Sequence, residues 1–192
     1  MSRSMIMVVL ALFGVSCHSG DHSTGAASHE MEAHDGDHVA KRDIASLEII
    51  NVRMPSDHLV TGGQLTQEQM VALREEGYET FINLRPVDEK GTGWEEEFSA
   101  AEGISFTRIP VAGAAGVTRE SAERLAEALS SSESGAVVYC KSGNRVGALL
   151  ALKAHFVDGQ SPEDALQFGL DAGMTRLEPL VRELLELPES DS

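Results

Sequence analysis

The stretch Gly135-Ala136-Val137-Val138-Tyr139-Cys140-Lys141-Ser142-Gly143-Asn144-Arg145-Val146-Gly147 constrains the chain more than any other. Four consecutive apolar residues after a glycine, with no polar alternation, describe a strand buried on both faces, the kind found in the middle of a parallel sheet. A polar loop then leads into an apolar helix, read here over Val146 to Val157. Parallel strands need helical crossovers, and the sequence supplies them. Thr66 with Gln69 three residues on has the pattern of a capping box; it opens a helix with Met70 and Leu73 inward and a stop at Gly77. Thr80 to Leu84 reads as a strand closed by Pro86, Trp94 to Glu102 as a helix, and Ile104 to Val111 as the next strand. A helix opening at Thr118 puts Ala122, Leu125, Ala126 and Leu129 on one face. Ahead of these, Leu47 to Val52 and His58 to Thr61 read as extended, with a turn at Gly62-Gly63. Behind them come a helix with Ser161 as cap and Pro162 at its first position, and another over Thr175 to Leu187. The predicted fold class is α/β, a three-layer domain with a mostly parallel sheet.

The first forty residues have a different character. Arg3 followed by the apolar run Met5 to Val15, ending at Ser16, reads as an export signal over residues 1–16. Eleven apolar residues fall short of the about twenty that a bilayer requires. Cys17 stands directly after the run, and Phe13-Gly14-Val15-Ser16-Cys17 resembles the lipobox of bacterial lipoproteins, which implies acylation of Cys17, a lipid anchor as the membrane contact, and display in the periplasm or on the outer membrane. Five of the seven histidines (His18, His22, His29, His34 and His38) lie among Asp, Glu, Ser, Gly and Ala before Lys41. That composition cannot bury a core, so residues 17–43 read as a hydrated tether. Imidazoles and carboxylates also suit zinc or copper, but no fixed ligand spacing is present, and no metal is assigned. The folded domain is expected over 44–188, with a short tail at 189–192.

The chemistry is expected at the loop after the apolar strand. A strand end, a Gly-containing polar loop and a helix N-terminus make an anion site: loop N–H groups face inward, the helix end adds partial positive charge, and Arg145 can close a planar fork over the ligand. The same field favours a thiolate, and a cysteine in such a setting becomes a nucleophile at neutral pH. Cys140 is therefore the candidate nucleophile, Arg145 the anion binder, and Lys141, Ser142, Gly143 and Asn144 the cradle. With Lys plus Arg at 15 against Asp plus Glu at 31, a net charge of −16 excludes a phosphate-tracking nucleic-acid surface. The expected partner is a small anionic or phosphorylated substrate, with no cofactor.

The loop resembles the signature of cysteine-dependent phosphatases of the tyrosine and dual-specificity type. Thr61-Gly62-Gly63-Gln64, Phe81-Ile82-Asn83-Leu84-Arg85-Pro86 and Arg108-Ile109-Pro110-Val111 resemble a bacterial branch of them, the phosphatase-like domain of beta-lactamase hydrolase-like proteins and its relatives fused to NAD kinase. The resemblance implies a cysteine-phosphatase-like fold over about residues 48–187 and hydrolysis of a phosphoester through Cys140. Those enzymes have five residues between Cys and Arg, a hydroxyl residue after Arg, and an Asp general acid about thirty residues before the Cys. Here four residues intervene, Val146 follows Arg145, and Val111 to Val117 holds no ionisable side chain, so Asp88 or Glu89 is the candidate acid. The six-residue loop itself resembles that of single-domain rhodaneses, which implies a persulfide on Cys140 and sulfur transfer as the alternative. A non-catalytic anion-binding module is the third reading. Arg85 is expected either to reach the substrate or to pair with Asp88 or Glu89.

Overall fold

The computed structural model describes residues 44–132 and 134–188; the export segment, Cys17, the tether and the tail lie outside the described residues. After a 3₁₀ turn at Ile44–Leu47 come β1 (Arg53–Ser56), β2 (Leu59–Gly62), α1 (Gln67–Glu75), β3 (Thr80–Asn83), α2 (Glu95–Glu102), β4 (Ser105–Arg108), α3 (Arg119–Ser130), β5 (Ala136–Tyr139), α4 (Asn144–Phe156), α5 (Pro162–Asp171) and α6 (Glu178–Leu184). The strands form one sheet in the order β1-β2-β5-β3-β4. Only the β1–β2 pair is antiparallel, so the sheet is mostly parallel, as the apolar character of β5 predicts.

Alternate side chains of the strands feed two cores. Leu59, Ile82, Ala136 and Val138 pack with α3, α4, α5 and α6 on one face, while Val60, Phe81, Val137 and Tyr139 pack with Met70 and Leu73 of α1 and with Phe98 of α2 on the other. This alternation across a pleated strand produces the three layers. Helix α4 is buried almost all round, from Val146 to Ala154, and truncating one of its leucines to Ala would cost about 2–5 kcal/mol. Local signals hold where they were legible. Thr66 and Gln69 form a reciprocal capping box, and Ser161 caps α5 with Pro162 in its first turn.

Three expectations are corrected. Leu47 to Val52 is not extended: the chain leaves the 3₁₀ turn through Glu48 (φ 52°) and Asn51 (φ 49°), both left-handed. The strand expected over Ile104 to Val111 pairs only over Ser105–Arg108. The last helix starts at Glu178 rather than Thr175, because the amides of Thr175 and Leu177 are taken by the side chain of Asn144.

The parallel strands all deliver polar residues to one edge. Gly62, Tyr139, Asn83 and Arg108 are in register across β2, β5, β3 and β4, so the segments that follow (Gly63-Gln64, Cys140-Lys141 and Leu84-Arg85) emerge side by side. Carboxyl ends of parallel strands are where α/β folds place ligands.

Candidate active site

Cys140 follows β5 directly and is 1 % exposed. The loop it opens is pinned on both flanks. The N–H of Cys140 donates to Gly62 O at 3.2 Å and that of Gln64 to Lys141 O at 3.4 Å, while Gly63 forms a bridge with Ser142. Asn51 donates through Nδ2 to Ser142 O at 3.1 Å and to Gly173 O at 3.0 Å. Its amide sits so close to Gly143 and Gly173 that a Cβ there would meet Nδ2 at 2.7 and 2.9 Å. Both glycines also have left-handed φ, 82° and 100°, so no other residue fits easily at either position.

These contacts fasten the carbonyls of Lys141 and Ser142 to the flanking segments, and the bridge with Gly63 ties down the Ser142-Gly143 backbone as well. The N–H groups of Asn144, Arg145 and Val146 point along the axis of α4, whose first intrahelical acceptor, Gly143 O, serves Gly147 at 3.0 Å. The N–H groups of Asn144, Arg145 and Val146 have no acceptor among the described residues. The start of α4 thus presents unsatisfied donors at a helix N-terminus, an arrangement suited to an anion.

Arg145 completes it. Nη1 donates to Glu89 Oε2 at 2.9 Å and to Val111 O at 2.8 Å, and Nη2 donates to Glu89 Oε1 at 3.0 Å. These contacts consume one edge of the guanidinium. The guanidinium also hydrogen-bonds the Cys140 side chain, which places it beside the sulfur, and its parallel N–H groups match two oxygens of a phosphoryl group. Burial works against the charge on Arg145, but the Glu89 carboxylate and the nearby Cys140 sulfur outweigh it, and its pKa is raised above the ordinary arginine value.

Glu89 lies between two arginines, since Arg85 Nε also donates to its Oε1 at 2.9 Å. The Arg145 hydrogen bond, opposed by partial burial and reinforced by Arg85, holds its carboxyl below the usual range. A carboxylate held in this way has no proton to give at neutral pH. Asp88, the other candidate acid, is exposed and does not line the pocket over the loop. Arg85 is 3 % exposed, so it pairs with Glu89 rather than facing a ligand. Its other N–H groups donate to Gln64 Oε1 and to Lys90 O, the latter at 2.6 Å.

Behind these residues lies a polar cluster that sequence reading did not find. Glu95 is fully buried and accepts from Gln64 Nε2 and Asn83 Nδ2, both at 3.0 Å, from Gly93 N–H at 2.7 Å and from Arg108 Nη2 at 3.0 Å. Burial alone would raise its pKa, and these hydrogen bonds reverse the direction. Gln64 therefore links Glu95 to Arg85, and Arg85 links through Glu89 to Arg145.

The pocket over the loop has a volume of about 320 Å³. Lys141, Ser142, Asn144 and Arg145 line it, whereas Cys140 and Gly143 are not among its lining residues; Gly113 and Ala114, from the stretch without ionisable side chains, form another part of its wall. Arg176 lines it too, and no local pattern in the sequence marks that residue. His155 lies at the far end of α4, against Gln160 O at 2.8 Å. Among the described residues no group of His, Cys, Asp and Glu is arranged to hold a metal ion, and no helix is long and apolar enough to cross a membrane.

Comparison with known families agrees with this geometry. The family described as DSP-PTPase phosphatase fused to NAD+ kinase matches residues 38–176. The chain belongs to that family. Among curated proteins, this DSP-PTPase domain is 27 % identical over 144 residues to a beta-lactamase hydrolase-like protein of Xylella fastidiosa, covering 69 % of the chain and 32 % of the relative. The chain thus spans about a third of the length of that relative. Among solved structures, a DUF442 protein of Shewanella putrefaciens superposes with a TM-score of 0.56 at 20 % identity, covering 75 % of this chain and 92 % of the other. The core catalytic domain of the PP-IP phosphatase SIW14 of S. cerevisiae superposes with a TM-score of 0.54 at 14 % identity, covering 74 % and 88 %. At these identities the structures show a shared cysteine-phosphatase fold.

Proposed function

We propose that this DSP-PTPase domain hydrolyses a phosphoester through Cys140. The observation that carries the reading is Arg145, fixed by Glu89 and Val111 O and hydrogen-bonded with the Cys140 side chain, beside the N-terminus of α4, where the N–H groups of Asn144, Arg145 and Val146 lack acceptors among the described residues. The phosphoryl group seats in the loop with two of its oxygens on Nε and Nη2 of Arg145, and the Cys140 thiolate attacks phosphorus in line with the leaving oxygen. The S–P bond forms as the P–O bond breaks, and the electron pair departs on the leaving group. Water then attacks phosphorus, the P–S bond breaks, and dihydrogen phosphate and the thiolate are released.

Glu89 acts here as a positioning residue. It locks the inner edge of Arg145 so that the outer edge faces the loop. With the one carboxyl among the described pocket residues held ionised, leaving groups that need no proton are the favoured substrates. Export on residues 1–16 and acylation of Cys17 belong to the same proposal and place this chemistry outside the cytoplasm.

The test is mass spectrometry of acid-quenched protein after exposure to an aryl phosphate and, separately, to thiosulfate. A phosphate adduct on Cys140, absent from Cys140→Ser, is the expected result. A persulfide on Cys140 without a phosphoenzyme would replace hydrolysis with sulfur transfer, which the four-residue spacing between Cys140 and Arg145 otherwise favours.

A further inference from the structure

The pocket holds two cations besides Arg145. Arg145 is offset by Glu89, whereas Lys141 and Arg176 are exposed, line the same pocket, and have no ion-pair partner among the described residues. In a chain with 15 basic against 31 acidic side chains, three cations around 320 Å³ of space is a concentration of charge against the overall trend.

Arg176 also has a fixed place. Oδ1 of Asn144, the first residue of α4, accepts from Thr175 N–H at 2.8 Å, Thr175 Oγ1 at 3.1 Å and Leu177 N–H at 3.3 Å, so the residues on either side of Arg176 are fastened to the loop. Asn51 joins the same two segments through Ser142 O and Gly173 O. Where Gly147 has only hydrogen, a Cβ would come within 2.3 Å of Met174 N and 2.4 Å of Gly169 O, so the turn before Arg176 lies backbone to backbone on α4. Besides holding the loop after Cys140, these contacts keep the Arg176 backbone at the rim.

We propose that Arg176, assisted by Lys141, forms a second anion subsite, so that the substrate carries another anionic group, phosphate or carboxylate, beside the phosphoryl group that reaches Cys140. The inference rests on the phosphoryl-transfer reading above and deepens it. The leaving group is itself charged, and it is held by Arg176 and Lys141 after the P–O bond breaks.

The experiment uses the full chain carrying Cys140→Ser, which binds without turnover, and measures affinity by calorimetry for orthophosphate, pyrophosphate and tripolyphosphate. The two longer probes place added phosphates at one and two anhydride spacings. At least one of them should bind about tenfold more tightly than orthophosphate, the gain expected of one further charge-assisted contact. Arg176→Ala should remove most of that gain and leave orthophosphate binding unchanged; Arg176→Lys should retain part of it. Equal affinities for all three probes, or a gain that survives Arg176→Ala combined with Lys141→Ala, would overturn the second subsite alone. If orthophosphate does not bind, or binds equally well after Arg145→Ala, the phosphoryl-transfer reading falls with it.

Discussion

Glu89→Gln tests how the site is organised. The substitution keeps shape and one acceptor oxygen but removes the charge that three N–H groups from Arg85 and Arg145 now share. The partners are well shielded, with side-chain exposures of 3 % for Arg85, 11 % for Arg145 and 27 % for Glu89. Hydrogen bonds to charged groups are worth about 1.5–3 kcal/mol each; with one acceptor retained and some exposure, the net loss is about 2–3 kcal/mol. For a domain of this size that lowers Tm by roughly 5–10 °C. Arg145, freed from its inner contact, should hold the phosphoryl group less well, and kcat/KM should fall about tenfold, or about 1.4 kcal/mol of transition-state stabilisation. The decisive feature is uniformity. Across aryl and alkyl phosphates of increasing leaving-group pKa the loss should stay constant, because Glu89 orients a cation and donates no proton. A loss that grows steeply with leaving-group pKa, at unchanged Tm, would show that Glu89 is the general acid and refute the positioning role.

Gly147→Ala should destabilise the fold by about 1–3 kcal/mol or more, because the added Cβ strikes backbone atoms of Met174 and Gly169 that cannot swing aside; urea unfolding measures it, and a neutral result would mean that the α5–α6 turn is free to shift. The lowered pKa values of Glu89, Glu95 and Glu96 make stability pH-dependent with a definite sign. Each carboxylate contributes fully above its ordinary value of 4.5 and loses that contribution as the pH falls through its lowered folded value, so thermal stability should decline progressively below about pH 4.5. Arg108→Met, which removes a partner shared by Glu95 and Glu96, should bring their folded pKa values back up and make that decline shallower, and an unchanged acid limb would exclude these groups as its source.

Much of the fold was legible because its signals are local. The apolar run of β5, the Thr66–Gln69 box and the Ser161-Pro162 start each lie within a few residues, and each is found in place. Arg85 with Glu89 was also within reach, as an i,i+4 pair. Leu47 to Val52 misled because Leu, Ile, Ile and Val suit a strand, while the backbone there obeys Asn51, whose amide is satisfied by carbonyls 91 and 122 residues away. Distance in sequence hides the rest of the site in the same way. Glu89 meets Arg145 across 56 residues, and Glu95, which a first-turn acidic run disguises as a solvated helix face, is fully buried among polar partners from three other segments. Arg176 carries no signature at all, since its position depends on Asn144 capturing the amides of its neighbours.

The common direction of β2 to β5 has a consequence for engineering. Everything reactive emerges where these strands end, so the turns that lead into them form a silent rim. Around Gly77, before β3, and Gly103, before β4, nothing lies within 4 Å of where a Cβ would stand, although the left-handed φ of both asks that the glycines themselves be kept. Both turns stand a four-residue strand away from the loop at Cys140, roughly 13 Å. A peptide graft or a reporter joined at that rim would be insulated from the phosphoryl chemistry by the full height of the sheet.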